Sequence, residues 1–133
     1  MKLEEKIVEN LKYAYVPYSH VQVSACAIDE NGKEYYGVNC ENPAYPSGLC
    51  AERSALFSAP VQGATVGTFK EIHVTSNMTE IIYPCAGCLQ VISTFLKPDG
   101  LVYLYKKDLS EKRVYKVTDL LPHMVRDEDI KKF

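Results

Sequence analysis

Two short cysteine-containing blocks place the strongest constraint on what this chain can fold into. The first block is Cys-Ala-Glu-Arg at 50–53, and the second is Pro-Cys-Ala-Gly-Cys at 84–88. Apolar residues at helical spacing follow each block, so each block predicts the start of a helix. A thiolate at a helix N-terminus is stabilised by the positive end of the helix dipole and can bind a metal at neutral pH. We therefore expect the fold to bring two helix starts together.

The residue types in the two blocks predict a catalytic metal centre. Cys50, Cys85 and Cys88 offer three thiolates and leave one tetrahedral position of a Zn²⁺ ion open, whereas a structural zinc site fills all four with protein ligands. Glu52 lies two residues after the first ligand, where its carboxylate can act as a general base. Arg53 can hydrogen-bond the thiolates and offset their excess negative charge. These residues predict one Zn²⁺ ion per chain.

The periodicity of the remaining sequence predicts a mixed sheet covered by helices. Alternating apolar residues and turn-forming residues mark the strands, and proline or glycine separates most of the elements. The predicted elements are a helix over 3–15 that ends before Val16-Pro17, a hairpin with strands over 21–27 and 34–39, a loop over 41–48, a helix over 50–59, a strand over 69–75, a helix from Pro84, strands over 101–105 and 113–117, and a helical piece after Leu121-Pro122.

Size and charge exclude several classes of protein. A chain of 133 residues fits one domain, predicted over 1–133, and it contains no apolar run of the ~20 residues that a membrane span needs. Its 15 basic residues are scattered among 17 acidic ones, which argues against nucleic acid and favours small neutral ligands. Five cysteines and no export signal predict reduced thiols in the cytoplasm.

Other uses of the cysteines and histidines are weaker interpretations. A Cys-x-x-Cys pair also suits a thioredoxin-like redox site, but that interpretation leaves Cys50 and Glu52 without a role. Cys26 and Cys40 are in or beside predicted strands, where packing in the core is expected. The histidines are scattered singly and are expected to be ordinary surface or half-buried residues; they are His20, His73 and His123.

With the flanking residues included, the sequence resembles the cytidine deaminases, in particular the small three-cysteine zinc enzymes that act on nucleosides. The similarity extends over nearly the whole chain. Its landmarks, besides the two blocks, are Pro17-Tyr18-Ser19, Asn39-Cys40-Glu41-Asn42, Ala44-Tyr45, Gln90 and Leu120-Leu121-Pro122. Together with the predicted elements, the resemblance implies an α/β fold, a three-layer α/β/α sandwich with a mixed five-stranded sheet.

The resemblance also implies a reaction and a role for individual residues. Zinc-activated water would add to C4 of cytosine, and Glu52 would pass a proton to N3 and then to the departing amine, giving uridine and ammonia. Asn39 and Glu41 match the pair that binds the ribose hydroxyls, and the backbone of Ala51 matches the position that holds the pyrimidine. Tyr45 is expected to line the pocket. The carboxylate of Glu41 would repel a phosphate, so nucleosides are favoured over nucleotides.

Assembly is a further implication. The small three-cysteine relatives are homotetramers in which a neighbouring subunit completes each pocket, so a homotetramer is expected here. The reaction would serve pyrimidine salvage, with cytidine and deoxycytidine as substrates.

Four positions depart from the family pattern. Val21 and Val125 stand where the family has the phenylalanines that face the pyrimidine, Ser24 stands for a glycine, and Leu89 stands for an arginine. These departures leave two alternatives open. The chain could act on another aminopyrimidine nucleoside, such as a nucleoside antibiotic, or it could be an inactive zinc-binding relative. Intact Glu52 argues against the second, because a structural zinc site has no use for that carboxylate.

Overall fold

Five strands form one mixed sheet in the computed structural model, which describes residues 1–130 and, within them, leaves the side chain of Tyr45 undescribed. The strands are β1 Val23–Ile28, β2 Glu34–Val38, β3 Phe69–Ser76, β4 Leu96–Tyr105 and β5 Lys112–Lys116. Their order across the sheet is β2-β1-β3-β4-β5. Strands β3 and β4 are parallel, and the other neighbouring pairs are antiparallel. The predicted mixed five-stranded sheet is confirmed.

Helices cover both faces of the sheet. They are α1 Leu3–Asn10, α2 Ala51–Ser58, α3 Ala86–Phe95, α4 Val117–Leu120 and α5 Asp127–Ile130. Ile7 of α1 packs with Cys26 and Tyr105 on one face. Leu56 of α2 and Ile92 of α3 pack on the other face, in the larger core. The three layers predicted from the sequence are therefore present, and within the described residues no helix is long and apolar enough to cross a membrane.

Small residues set the distance between α2 and the sheet. Ala25 and Ala27 of β1 are fully buried in the core that α2 also joins. On β2, a Cβ atom added to Gly37 would lie 2.5 Å from the backbone nitrogen of Ala55 and 2.7 Å from the carbonyl oxygen of Ala51. Any larger residue at this position would push the helix away. Glycine is therefore required here by close approach, and it fixes the helix that begins at the first cysteine block.

The structure corrects several predicted boundaries. Strand β4 begins at Leu96 instead of 101, and a register shift in its pairing with β3 accommodates Pro98 and Gly100, which are unfavourable in regular strands. The short helical piece predicted after Leu121-Pro122 is present as α5, which begins at Asp127. Helix α4 is not among the predicted elements; it begins at Val117, where the Asp119 carboxylate accepts a hydrogen bond from the backbone N–H of Lys116.

The expectation for the two remaining cysteines is half right. Cys26 is fully buried, as expected. Cys40 is exposed, which makes the core-packing prediction wrong. It lies beyond the end of β2, where it forms isolated bridges with Tyr15 and Leu49 instead of continuing the sheet.

A buried histidine lies on the sheet face beneath α1. His73 of β3 is only 5% exposed, and its ring stacks on Tyr103 with a centroid separation of 4.3 Å. Its Nδ1 is 2.7 Å from the hydroxyl of Tyr105, and its Nε2 is 3.0 Å from a carboxylate oxygen of Glu71. Burial lowers the pKa of His73, although the charge of Glu71 opposes this shift; Glu4 also opposes it, and Lys112 adds to it. The fold therefore favours the neutral ring.

This histidine predicts how stability depends on pH. The unfolded state binds a proton at His73 near the ordinary pKa of ~6.5, whereas the folded state resists it, so stability is present above that pH and is lost as the pH falls. We expect the melting temperature to drop between pH 7.5 and pH 5.5, and to drop less in His73→Gln. The matched control is His123→Gln at an exposed histidine. Equal pH dependence in all three proteins would contradict this role.

Candidate active site

The two cysteine blocks meet where helices α2 and α3 begin. Cys50 is the N-cap residue of α2, Cys85 is the N-cap residue of α3, and Cys88 lies one turn into α3. Their three sulfur atoms lie within 4.8 Å of one another. A tetrahedral zinc with Zn–S bonds of ~2.3 Å needs sulfur atoms ~3.8 Å apart, so the donor set fits Zn²⁺ and leaves a fourth position open. The predicted ligands are brought together.

The thiols and Arg53 form one hydrogen-bonded group. Arg53 Nη2 donates to Cys50 Sγ at 3.1 Å. Hydrogen bonding with the thiol of Cys88 is the main cause that lowers the pKa of Cys50 to about 5, and the same contact raises the pKa of Cys88. This hydrogen bond therefore favours the thiolate at Cys50. Because zinc binds thiolates, metal binding must release the protons that the cysteines still hold.

Glu52 lies in the first turn of α2 and is almost completely shielded from solvent. It is 4% exposed, and burial raises its pKa to about 7. The negative charge of Cys50 adds to the shift, and Arg53 partly offsets it. A carboxyl group with a pKa near the working pH both accepts and donates a proton readily, which is what a general acid-base residue requires.

A cavity of about 170 Å³ opens onto these residues. It is smaller than the ~300–1,000 Å³ of most small-molecule pockets, so one chain by itself encloses a ring more easily than a whole nucleoside. Its wall consists of Val23, Asn39, Cys50, Ala51, Glu52, Val74, Ile82, Tyr83, Pro84, Cys85 and Cys88. A larger cavity of about 410 Å³ lies near the end of α3 and the start of β4, and none of the cysteines lines it.

Asn39 and Glu41 are both tied to the main chain by hydrogen bonds. Asn39 lines the cavity; its Oδ1 accepts from the N–H of Val23 at 2.9 Å, and its Nδ2 donates to the carbonyl of Val21 at 2.8 Å. Glu41 accepts hydrogen bonds from the backbone N–H of Tyr18 and from the N–H and hydroxyl of Ser19. The hydrogen bonds from Ser19 lower the pKa of Glu41. Glu41 is not one of the residues that line the cavity.

The two residues expected to face the base are not among the described residues of the cavity wall. Val21 is half-buried and Val125 is 52% exposed, and neither lines the cavity. The carbonyl of Val125 accepts a hydrogen bond from Gln90 Nε2 at 2.6 Å, which ties the C-terminal segment to α3. The side chain of Tyr45 lies outside the described part of the chain. The base-facing role of Val21 and Val125 and the place of Tyr45 in the pocket lining stay predictions.

Sequence reasoning missed several residues of the cavity wall. Val23 and Val74 come from neighbouring strands, and Ile82, Tyr83 and Pro84 come from the segment before α3. Position next to the second cysteine block is a signal that could have found Ile82 and Tyr83. No local signal marks Val23 and Val74, because only strand pairing places them beside the helix starts.

Comparison with known proteins agrees with this site. Residues 1–104 match the family model described as "Cytidine and deoxycytidylate deaminase zinc-binding region". The cytidine deaminase of Sporosarcina psychrophila is 40% identical, with 98% of this chain and 96% of the relative covered. The cytidine deaminase of Halalkalibacterium halodurans is 34% identical, with coverage of 96% and 95%.

Solved structures give the same result. The 1.6 Å crystal structure of cytidine deaminase from Burkholderia pseudomallei has a TM-score of 0.81 and 36% identity, covering 94% of this chain and 100% of that one. Cytidine deaminase from Mycobacterium tuberculosis has a TM-score of 0.77 and 25% identity, covering 92% and 94%. The chain therefore belongs to the family of zinc-binding cytidine and deoxycytidylate deaminases.

Proposed function

We propose that this protein is a zinc-dependent hydrolase that converts cytidine to uridine and ammonia, and that it also accepts deoxycytidine. The observation that carries the proposal is the pairing of a buried carboxyl group, Glu52, with three converging sulfurs at the end of a cavity. A structural zinc site has no use for such a group. The substrate class is supported by relatives that are named cytidine deaminases.

The residues of this chain divide the chemistry between them. Cys50, Cys85 and Cys88 would hold Zn²⁺, which supplies Lewis acidity and lowers the pKa of water so that it becomes a nucleophile near neutral pH. Glu52 takes one proton from the water that adds to C4 and passes it to N3, and it then takes the proton of the hydroxyl now bonded to C4 and passes it to the exocyclic amine. The C4–N bond breaks, ammonia leaves, and a carbonyl remains on the ring. Arg53 keeps Cys50 ionised and oriented.

Substrate positioning is assigned to residues near the cavity. Ala51 is the first residue of α2, where backbone N–H groups lack partners within the helix, so its main chain suits hydrogen bonding to the pyrimidine. Asn39 and Glu41 suit the ribose hydroxyls, and the carboxylate of Glu41 disfavours nucleotides. Val21 and Val125 are proposed to face the base, and Tyr45 is proposed to line the pocket. For Val125, which is exposed in one chain, this role would require a neighbouring subunit to complete the pocket.

A substrate panel tests the reaction directly. We expect ammonia release from cytidine and deoxycytidine, with kcat/KM at least about tenfold lower for the corresponding monophosphates because Glu41 repels the phosphate. The same panel includes other aminopyrimidine nucleosides, among them nucleoside antibiotics. Faster turnover of one of these would favour the alternative substrate, and no turnover of any compound by zinc-loaded protein would favour an inactive relative.

Glu52→Gln separates metal binding from proton transfer. We expect the variant to retain one Zn²⁺ per chain, since Glu52 is not a ligand, and to lose kcat by ~10²–10⁴-fold, the range for a general acid-base residue. Metal analysis and steady-state kinetics on the same preparation measure both. Near-normal turnover in the variant would contradict a role of Glu52 in proton transfer. Zinc well below one ion per chain in an active wild type would contradict a role of the metal in the reaction.

We also propose a homotetramer acting in pyrimidine salvage in the cytoplasm. The small size of the single-chain cavity, about 170 Å³, and the exposed position of Val125 support a pocket completed by a second subunit. Light scattering of the active wild type should give four times the mass of one 15.0 kDa chain. A fully active monomer would contradict the assembly and, with it, the role of Val125.

A further inference from the structure

One aromatic residue lines the active-site cavity. Tyr83 immediately precedes Pro84 and Cys85, and it lines the cavity together with Glu52. Among the described residues of that wall, it is the only aromatic one. The two positions at which an aromatic ring was expected, Val21 and Val125, hold valine and lie outside the wall. Any ring-to-ring contact with a base in this chain must therefore come from another residue or another subunit.

Strand β5 holds the hydroxyl end of Tyr83 in place. Arg113 Nη1 donates to the Tyr83 hydroxyl at 2.8 Å, and the hydroxyl of Tyr115 lies 2.9 Å from the same oxygen. The two tyrosine rings are tilted by 56° with centroids 5.7 Å apart. Arg113 is itself fixed by Glu111, whose Oε2 accepts from Nε at 2.9 Å and lies 2.8 Å from Nη2. The ring is thus anchored at its polar end.

Tyr83 also keeps surface free for contact with a ligand. The residue is 46% exposed even though its hydroxyl is bound on the β5 side. A ring that is fixed by hydrogen bonds loses little further conformational entropy when a ligand packs against it. Stacking on a tyrosine ring suits every pyrimidine, because each base has a π face.

We propose that Tyr83 is a substrate-binding residue whose ring packs against the pyrimidine of the bound nucleoside, and that Arg113 and Tyr115 are positioning residues that hold the ring. This inference rests on the proposed function, since it assigns a new part of the same site. In this chain the aromatic contact with the base would come from Tyr83, which immediately precedes the second cysteine block. It would take the place of the phenylalanine rings that the family has at positions 21 and 125.

The affinity of cytidine for zinc-loaded Glu52→Gln protein tests the role of Tyr83 without turnover. In that background, we expect Tyr83→Ala to raise the Kd about tenfold, equivalent to about 1.4 kcal/mol, and Tyr83→Phe to raise it about threefold because the ring remains but its anchor is lost. Calorimetric titration measures the Kd. The matched control is Tyr13→Ala, at an exposed tyrosine that does not line the cavity, and its Kd should be unchanged.

A double-mutant cycle tests the positioning role of Arg113. Arg113→Gln should raise the Kd about threefold when Tyr83 is present and leave it unchanged in the Tyr83→Phe background, because the contact to the hydroxyl is then already absent. A general effect on folding would appear equally in both backgrounds. Equal effects in the two backgrounds would therefore overturn the positioning role.

Two outcomes would overturn the role of Tyr83, and neither is confused with a failure of the proposed function. An unchanged Kd in folded, zinc-loaded Tyr83→Ala would refute it while the wild type still releases ammonia from cytidine. A change in oligomeric mass with unchanged Kd would instead identify Tyr83 as a subunit contact. Absence of cytidine turnover in the wild type would refute the proposed function itself.

Discussion

The convergence of two helix N-termini on one point is the constraint on which the rest of this structure depends. Cys50 and Cys85, the proposed ligands, are the N-cap residues of α2 and α3, so a metal at their sulfurs would link two helices on the same face of the sheet. Both helices must then be placed to within the tolerance of a metal bond, a few tenths of an ångström. Sheet order, small buried residues and the loop before α3 are the means by which the chain meets that requirement.

Local sequence patterns predict much of this fold because the patterns reflect local physics. The helix starts at Cys50 and Cys85, the turn at 29–32 and the alternating strands all follow from the spacing of nearby residues. The exposed position of Cys40 does not, because it depends on where β2 stops and on bridges to Tyr15 and Leu49, which are distant in sequence. The early start of β4 likewise depends on a register shift against β3.

The candidate site also contains residues that the local sequence indicates and residues that only the fold brings together. The proposed metal ligands and Glu52 lie in two short blocks at the helix starts, so the order of residues along the chain is enough to indicate their chemistry. The walls are assembled across the sheet, and no local sequence signal marks Val23 and Val74 as part of the cavity. Leu89, in place of the expected arginine, is buried in the apolar core, so among the described residues Arg53 is left as the basic group bonded to the sulfurs. The residues that determine the type of reaction are thus close together in the sequence, whereas the residues that form the substrate cavity are spread along the chain.

Gly37 is an example of a residue that the active site requires although it has no contact with a ligand. Because glycine has no Cβ, the backbone of α2 at Ala51 and Ala55 can pack closely against β2. The position of the Glu52 carboxyl group, which α2 carries, therefore depends on glycine at position 37. In a survey of random substitutions, this position would score as intolerant although it has no side chain and no chemistry. Substitutions should therefore be poorly tolerated at two kinds of residue. The first kind takes part in the reaction, and the second kind must remain small so that the reacting residues are correctly positioned. Directed-evolution libraries aimed at new substrates should leave Gly37 fixed and vary the cavity wall.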